Sequence, residues 1–211
     1  MEAYEQRSGG LDYDRILAEI SEERTKKLVA VMLEELPYLW CDVYRNMTPH
    51  QTDICRFTYG TFEYIFDAFP INASVDVVSA NQNAEARLVA VLGNSNPLNR
   101  KRDDSRLRGW IGRTESFFGR RWDKGHFIAH SIGGAVDGIE ANVFVQRRDL
   151  NRGWSAEGKV FRAMEKYCFL NPGTFCFNRP LYTDCSARPA FLEFGVLKND
   201  GKLWVEHFDN H

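Results

Sequence analysis

Two apolar runs with alternating character, residues 191–197 and 203–207, flank Asn199-Asp200-Gly201, and no other feature constrains the fold of this chain as much. Asp-Gly between such runs is a strong short-range hairpin signal, because glycine supplies the positive φ that a tight antiparallel turn needs. Residues 174–177 and 181–183 are rich in β-formers and read as further short strands. The end of the chain is therefore expected to form an antiparallel sheet.

Upstream, the patterning is helical. Ile16, Leu17, Ile20, Leu28, Met32 and Leu36 fall near multiples of 3.6, predicting one amphipathic helix over 11–36 that Pro37 stops. Thr48-Pro49 reads as an N-cap followed by proline at the first helical position, opening a second helix to about residue 68. Its aromatic density (Phe57, Tyr59, Phe62, Tyr64, Phe66) also fits extended chain. Val75, Val77 and Val78 suggest a short strand, 84–92 reads as helix rather than strand, and 93–109 as a basic loop. Residues 127–129 read as strand or short helix, and Gly133-Gly134 breaks the chain. Residues 141–146 alternate like a strand, and a helix starting at Asp149 or Asn151 runs to about Tyr167. The fold expected is α+β, with a helical region over 1–80 and a second unit over 81–211.

At 211 residues the chain is long enough to bury a substantial core, and its 44% hydrophobic and 27% charged residues are ordinary for a globular protein. Net charge is only −2, but it is unevenly spread. Residues 100–124 hold nine basic and four acidic side chains, a local +5, whereas residues 1–40 hold nine acidic and five basic ones, a local −4. A basic centre beside an acidic end suits a polyanion site. The five cysteines include no C-x-x-C pair, which argues against a structural zinc site. Glu2, Glu5, Asp12 and Asp14 occupy the region where a secretory leader would be basic and then apolar, so a cytoplasmic protein with reduced thiols is expected; an effector exported without a leader would look the same. No apolar stretch approaches the roughly 20 residues that span a bilayer, and no membrane partner is expected.

Directly after the +5 segment stands Asp123-Lys124-Gly125-His126, with Asn142, Asn151 and Glu165 downstream. Histidine is the side chain best suited to take a proton near neutral pH. Carboxamide and carboxylate oxygens are the hard donors that a divalent cation prefers. Together they are what hydrolysis of a phosphodiester requires: a base for water, and a cation with coordination sites left for phosphate. His130, four residues after His126, gives H-x-x-x-H spacing but lacks an accompanying carboxylate pattern, so zinc is not expected there. Trp154 is expected to pack rather than to stack on a base.

Three linked motifs extend this reading: Asp123-Lys124-Gly125-His126; Asn142-Val143-Phe144-Val145-Gln146; and Asp149-Leu150-Asn151-Arg152-Gly153-Trp154 followed by Met164-Glu165. In this order, and with Asn151 nine positions after Asn142, the chain resembles the DNA/RNA non-specific endonucleases, whose site is the ββα-metal (His-Me) finger. The resemblance covers about residues 105–210. It implies a ββα-metal finger core on a mostly antiparallel sheet, with residues 1–80 as a helical extension. It also implies that His126 is the general base and Asn151 the direct ligand of one Mg²⁺, for which Mn²⁺ substitutes. Glu165 would hold a water of the cation's shell, Asn142 would orient His126 or support the ligand loop, and Asp123 would brace the turn.

Lys124 stands where the family usually has arginine, and phosphate binding is expected from Lys124, Arg120, Arg121 and Arg152. Fourteen residues separate Asn151 from Glu165, more than the usual eight, which makes Glu157 a rival for the acidic role. The implied activity is a Mg²⁺-dependent endonuclease, largely indifferent to sequence and sugar, acting on DNA and RNA and leaving 5′-phosphate ends. Such an enzyme suits defence, or an antibacterial toxin partnered by an immunity protein. The alternative is a catalytically weak nucleic-acid-binding or interaction protein on the same scaffold.

Overall fold

The structure, a computed structural model, describes residues 11–20, 26–69, 84–97, 114–135 and 140–211. The strand expected at Val75–Val78 and residues 98–109 of the expected basic loop lie outside these residues. The chain is α+β. Helices α1 (Tyr13–Ile20) and α2 (Lys26–Met47) lead into the hairpin β1 (Ile54–Tyr59) and β2 (Phe62–Asp67), then β3 (Arg87–Asn94). A short α3 (Thr114–Phe118) precedes a second hairpin, β4 (Trp122–His126) and β5 (Val143–Arg147). Helices α4 (Arg148–Arg152) and α5 (Ala156–Leu170) follow, and β6 (Phe175–Leu181), β7 (Phe191–Leu197) and β8 (Leu203–Asp209) close the chain.

The large sheet has six strands in the order β1-β2-β3-β6-β7-β8, every pair antiparallel. The expected hairpin at Gly201 is present, with that glycine at φ 80°. The sheet's one jump in chain order falls between β3 and β6, where Asn94 pairs with Phe175. The second hairpin and its helices are thus inserted between two neighbouring strands. Ser95 ties the ends of the insertion together: its amide donates to the Thr174 carbonyl (2.8 Å), and its hydroxyl accepts from the Thr174 amide (3.1 Å).

Each sheet face carries its own core. On one side Met32, Leu36 and Trp40 of α2 pack with Ile65, Val89, Phe175 and Phe177. On the other, Phe127, Phe144, Phe161 and Met164 pack with Phe62, Tyr64, Phe194 and Phe208. This two-sided burial explains two departures from expectation. Residues 84–92 form a strand rather than a helix: β3 is buried on both faces, so its apolar run lacks the alternation that would mark it. The segment after Thr48-Pro49 is the β1–β2 hairpin rather than a helix, turning at Gly60 (φ 61°) and sending Phe62 and Tyr64 into the core. The region expected to be a helical extension therefore supplies two strands of the main sheet, which crosses residue 80.

The helix expected over 11–36 is divided into α1 and α2, and Pro37 does not end it, since α2 continues to Met47. An interior proline removes one hydrogen bond and costs about 3 kcal/mol. Met32, Leu36, Trp40, Cys41 and Tyr44, buried along one stripe on both sides of Pro37, offset that cost by packing on the sheet. Among the described residues, no helix is long and apolar enough to cross a membrane.

Candidate active site

β4 and β5 pair residue for residue, so their side chains sort cleanly onto two faces. Asp123 opposes Gln146 and Gly125 opposes Phe144 on one face; Lys124 opposes Val145 and His126 opposes Val143 on the other. Gly125 is required by close approach: a Cβ there would lie 2.2 Å from Oε1 and 2.5 Å from Cβ of Gln146, which is almost fully buried. The glycine before the histidine thus lets the second strand lie against the first, one residue before His126 reaches the strand end.

Asp123 organises the inner face. Its carboxylate accepts from Arg148 Nε (2.9 Å), Arg152 Nε (2.7 Å), Arg152 Nη2 (3.0 Å) and Asn151 Nδ2 (3.3 Å), the three residues all belonging to α4. Burial works to raise its pKa, but the hydrogen bonds from Arg152, Arg148 and Asn151 outweigh burial and hold the carboxyl below the usual aspartate range. Arg148 also donates to the Trp122 carbonyl (3.0 Å) and pairs with Glu115 of α3. Asp123, expected to brace its turn, is bound through these contacts to helix α4. Arg148 escaped the sequence reading. Its one available signal was its place in a basic pair directly before Asp149-Leu150-Asn151.

Asn151 is half-buried in the last turn of α4, five residues long and closed by Gly153 at φ 71°. This corrects the expected single helix starting near Asn151. That residue caps no helix start, and no helix N-terminus is presented there. A new helix, α5, begins at Ala156, with Ser155 Oγ accepting from the Gly158 amide (3.0 Å). What orients Asn151 is Asp123. With Nδ2 committed to that carboxylate, Oδ1 receives no hydrogen bond among the described residues. A carboxamide oxygen fixed in this way is a hard, neutral donor suited to Mg²⁺ or Mn²⁺.

Asn142 is fully buried, and its amide is spent on backbone. Oδ1 accepts from the Ile128 amide (3.0 Å), while Nδ2 donates to the carbonyls of Ile128 (2.9 Å) and Ala135 (2.7 Å). Asn142, expected to orient His126 or to support the ligand loop, has its polar atoms engaged by the backbone of the segment that follows His126. Asn178 Nδ2 donates to the Phe127 carbonyl (2.9 Å), and Phe127 stacks on Phe144 at 4.2 Å between centroids. The segment leaving His126 is thereby fixed at Phe127, Ile128 and Ala135. His126 is half-buried at the end of β4, and His130 starts a separate 3-10 turn, so the two do not share a helix.

Glu165 lies on the buried face of α5 with Phe161, Met164 and Cys168. Burial pushes its carboxyl up to about 7, and the Arg162 hydrogen bond (2.6 Å) opposes the rise. Its described contacts join it to Arg162 and not to Asp123 or Asn151. Glu157, the rival acid, pairs with Arg147, whose Nε also donates to Asp149 (2.7 Å). Arg152, expected on substrate, is committed to Asp123 and lies 5.0 Å from the Trp154 ring. That tryptophan, expected to pack, is 63% exposed. Arg120 and Arg121 are exposed and carry no ion pair among the described residues. Lys124 is half-buried, and desolvation lowers its pKa.

Among the described residues, no group of three or more His, Cys, Asp or Glu side chains forms a metal cage. The arrangement instead offers one oriented amide oxygen on α4, a histidine at the end of the strand that carries Asp123, and the exposed Arg120 and Arg121, which have no ion pair among the described residues. No protein-family model matches the chain, and no curated protein matches it.

Proposed function

We propose that the chain is a divalent-cation-dependent endonuclease of the ββα-metal type, hydrolysing phosphodiesters of DNA and RNA. The observation that carries the proposal is the Asn151–Asp123 hydrogen bond, which leaves the Asn151 oxygen as an oriented donor beside the strand that ends in His126. The succession of hairpin and helix, and the three sequence motifs it bears, support the same reading. The residues fit a Mg²⁺ or Mn²⁺ ion held by Asn151 with most of its shell left to water and phosphate. When bound, such an ion stabilises negative charge on the phosphate and on the departing 3′ oxygen.

His126 takes the proton of the attacking water, and the Asn142 clamp fixes the chain that leaves it. Asp123 keeps Asn151 in one orientation while holding Arg148 and Arg152 in place. Arg120, Arg121 and Lys124 draw in the phosphate backbone, a contact that gives affinity without reading sequence. Cleavage on the 3′-oxygen side leaves 5′-phosphate ends. Glu165 enters as a positioning residue on α5, with Arg162 as its partner.

Digestion of plasmid and total RNA in Mg²⁺, with an EDTA control, tests this. Wild type should degrade both in Mg²⁺ and neither in EDTA, and His126→Ala should lose at least about a hundredfold in rate. Undiminished cutting by His126→Ala, or cutting in EDTA, would overturn the mechanism. Steeply salt-dependent binding without any cutting would favour a binding protein on the same scaffold.

A further inference from the structure

Val143 and Val145, the cross-strand partners of His126 and Lys124, line a cavity of about 650 Å³ together with Phe144. Val143 and Val145 form an apolar floor, Phe118 contributes an aromatic ring, and Glu85, Asp184 and Arg188 bring charge to the lining. The volume suits a nucleotide-sized ligand. Its position matters more: the floor residues are the direct cross-strand partners of Lys124 and His126.

The polar lining is held by hydrogen bonds of its own loop. Asp184 Oδ1 accepts from the Ser186 amide (2.8 Å) and hydroxyl (2.6 Å), and Glu85 Oε2 accepts from the Ala187 amide (2.6 Å). Buried Arg87 donates to the carbonyls of Asp184 (2.5 Å) and Ser186 (3.2 Å), which anchors the loop from below. Each carboxylate therefore has one oxygen fixed by the loop and a second that takes no hydrogen bond among the described residues. Arg188 lies 5.1 Å from the Trp122 ring, with its charge unpaired among those residues.

We infer that this cavity receives one unpaired nucleobase of the strand being cut, and prefers guanine to uracil or thymine. An aromatic ring and an aliphatic floor offer a stacking surface to any base. Carboxylate oxygens accept and cannot donate. Guanine presents N1–H and N2–H together on one edge, two donors for the open carboxylate oxygens of Asp184 and Glu85. Uracil and thymine place one N–H between two carbonyls, which carboxylates repel. Arg188 supplies positive charge for the adjoining phosphate. A paired base must first leave its stack, at a cost of a few kcal/mol, so single-stranded nucleic acid is the favoured substrate class.

For the polymer this inference rests on the nuclease reading; for the base it does not, and binding of mononucleotides separates the two. Titration of the full chain with 5′-GMP and 5′-UMP in EDTA, followed by calorimetry or ligand NMR, should show GMP binding about tenfold tighter or more. Asp184→Asn should reduce that ratio to about twofold or less. Phe118→Ala, on a half-exposed side chain, should weaken both ligands by about tenfold with the thermal melt unchanged. Equal binding of the two nucleotides, no binding, or unaltered binding by a folded Phe118→Ala protein would overturn the inference. Cutting by wild type without GMP binding would do so while leaving the nuclease reading intact. GMP binding without cutting would leave the cavity assigned and remove the nuclease.

Discussion

Asn142 holds Ile128 from both sides, accepting from its amide at 3.0 Å and donating to its carbonyl at 2.9 Å. A fully buried side chain thus substitutes for a strand partner just where β4 ends and the loop after His126 begins.

Replacing Asn142 by Ala strands the Ile128 amide and the carbonyls of Ile128 and Ala135 in the core. Each buried group left unsatisfied costs about 1–3 kcal/mol. A loss of about 3 kcal/mol or more in urea unfolding is expected. Asn142→Asp should be no better, because a carboxylate facing two carbonyls offers no donor. A loss below about 1 kcal/mol would show that the clamp is dispensable.

Asp123 acts on α4, so its removal should be felt in cation affinity. Asp123→Ala frees Asn151 to rotate and leaves Arg148 and Arg152 without their shared acceptor. Removing such a supporting group typically weakens metal binding by about 10–100-fold. Mn²⁺ titration followed by electron paramagnetic resonance should show that loss, and an unchanged affinity would exclude Asn151 as the ligand.

Glu165 gives stability a pH signature. Its folded carboxyl titrates at about 7 against an ordinary value of 4.5, so between these values the folded chain holds a proton that the unfolded chain has released. The stabilisation is complete below pH 4.5 and is lost as pH rises through 7. The gap corresponds to roughly 3 kcal/mol at about 1.4 kcal/mol per pH unit. Glu165→Gln should remove this dependence, so the variant gains on wild type between pH 5 and 8 in thermal melts. Parallel curves would place the titration elsewhere.

Gly125 and Gln146 form a packing pair that a double-mutant cycle can isolate. Gly125→Ala forces its Cβ against Gln146 and should cost about 1–3 kcal/mol. Gln146→Gly removes the Cβ as well as the amide and opens the space, so the double variant should recover a substantial part of that loss. Strict additivity would mean the two do not meet.

The sequence was most legible where local chemistry decides structure. Asn199-Asp200-Gly201 turns as its residue types require, and Gly125, Asn142 and Asn151 occupy consecutive parts of one hairpin–helix unit. It was least legible where long-range packing decides. An apolar run such as 84–92 looks the same in a two-sided core strand as in a buried helix, and Pro37 marks a helix stop only if nothing beyond it needs burying. The break between α4 and α5 was written in Gly153 and Ser155, yet the apolar periodicity of 160–168 concealed it. The arginine partners of Asp123 were not foreseeable, because a run of charged residues does not reveal which of them turn inward.

The insertion between β3 and β6 has a kinetic consequence. Asn94 and Phe175 are ladder neighbours, but 80 residues separate them along the chain. Closing a loop of that length costs about 4 kcal/mol of chain entropy, against well under half that for a tight hairpin. The seam between β3 and β6 is therefore expected to zip late, after the β1–β2–β3 and β6–β7–β8 meanders have formed separately. Asn178, which grips the Phe127 carbonyl, lies on that seam opposite Val91. The segment behind His126 gains its final restraint only when the two halves of the sheet meet, so competence for chemistry should appear with the last phase of folding.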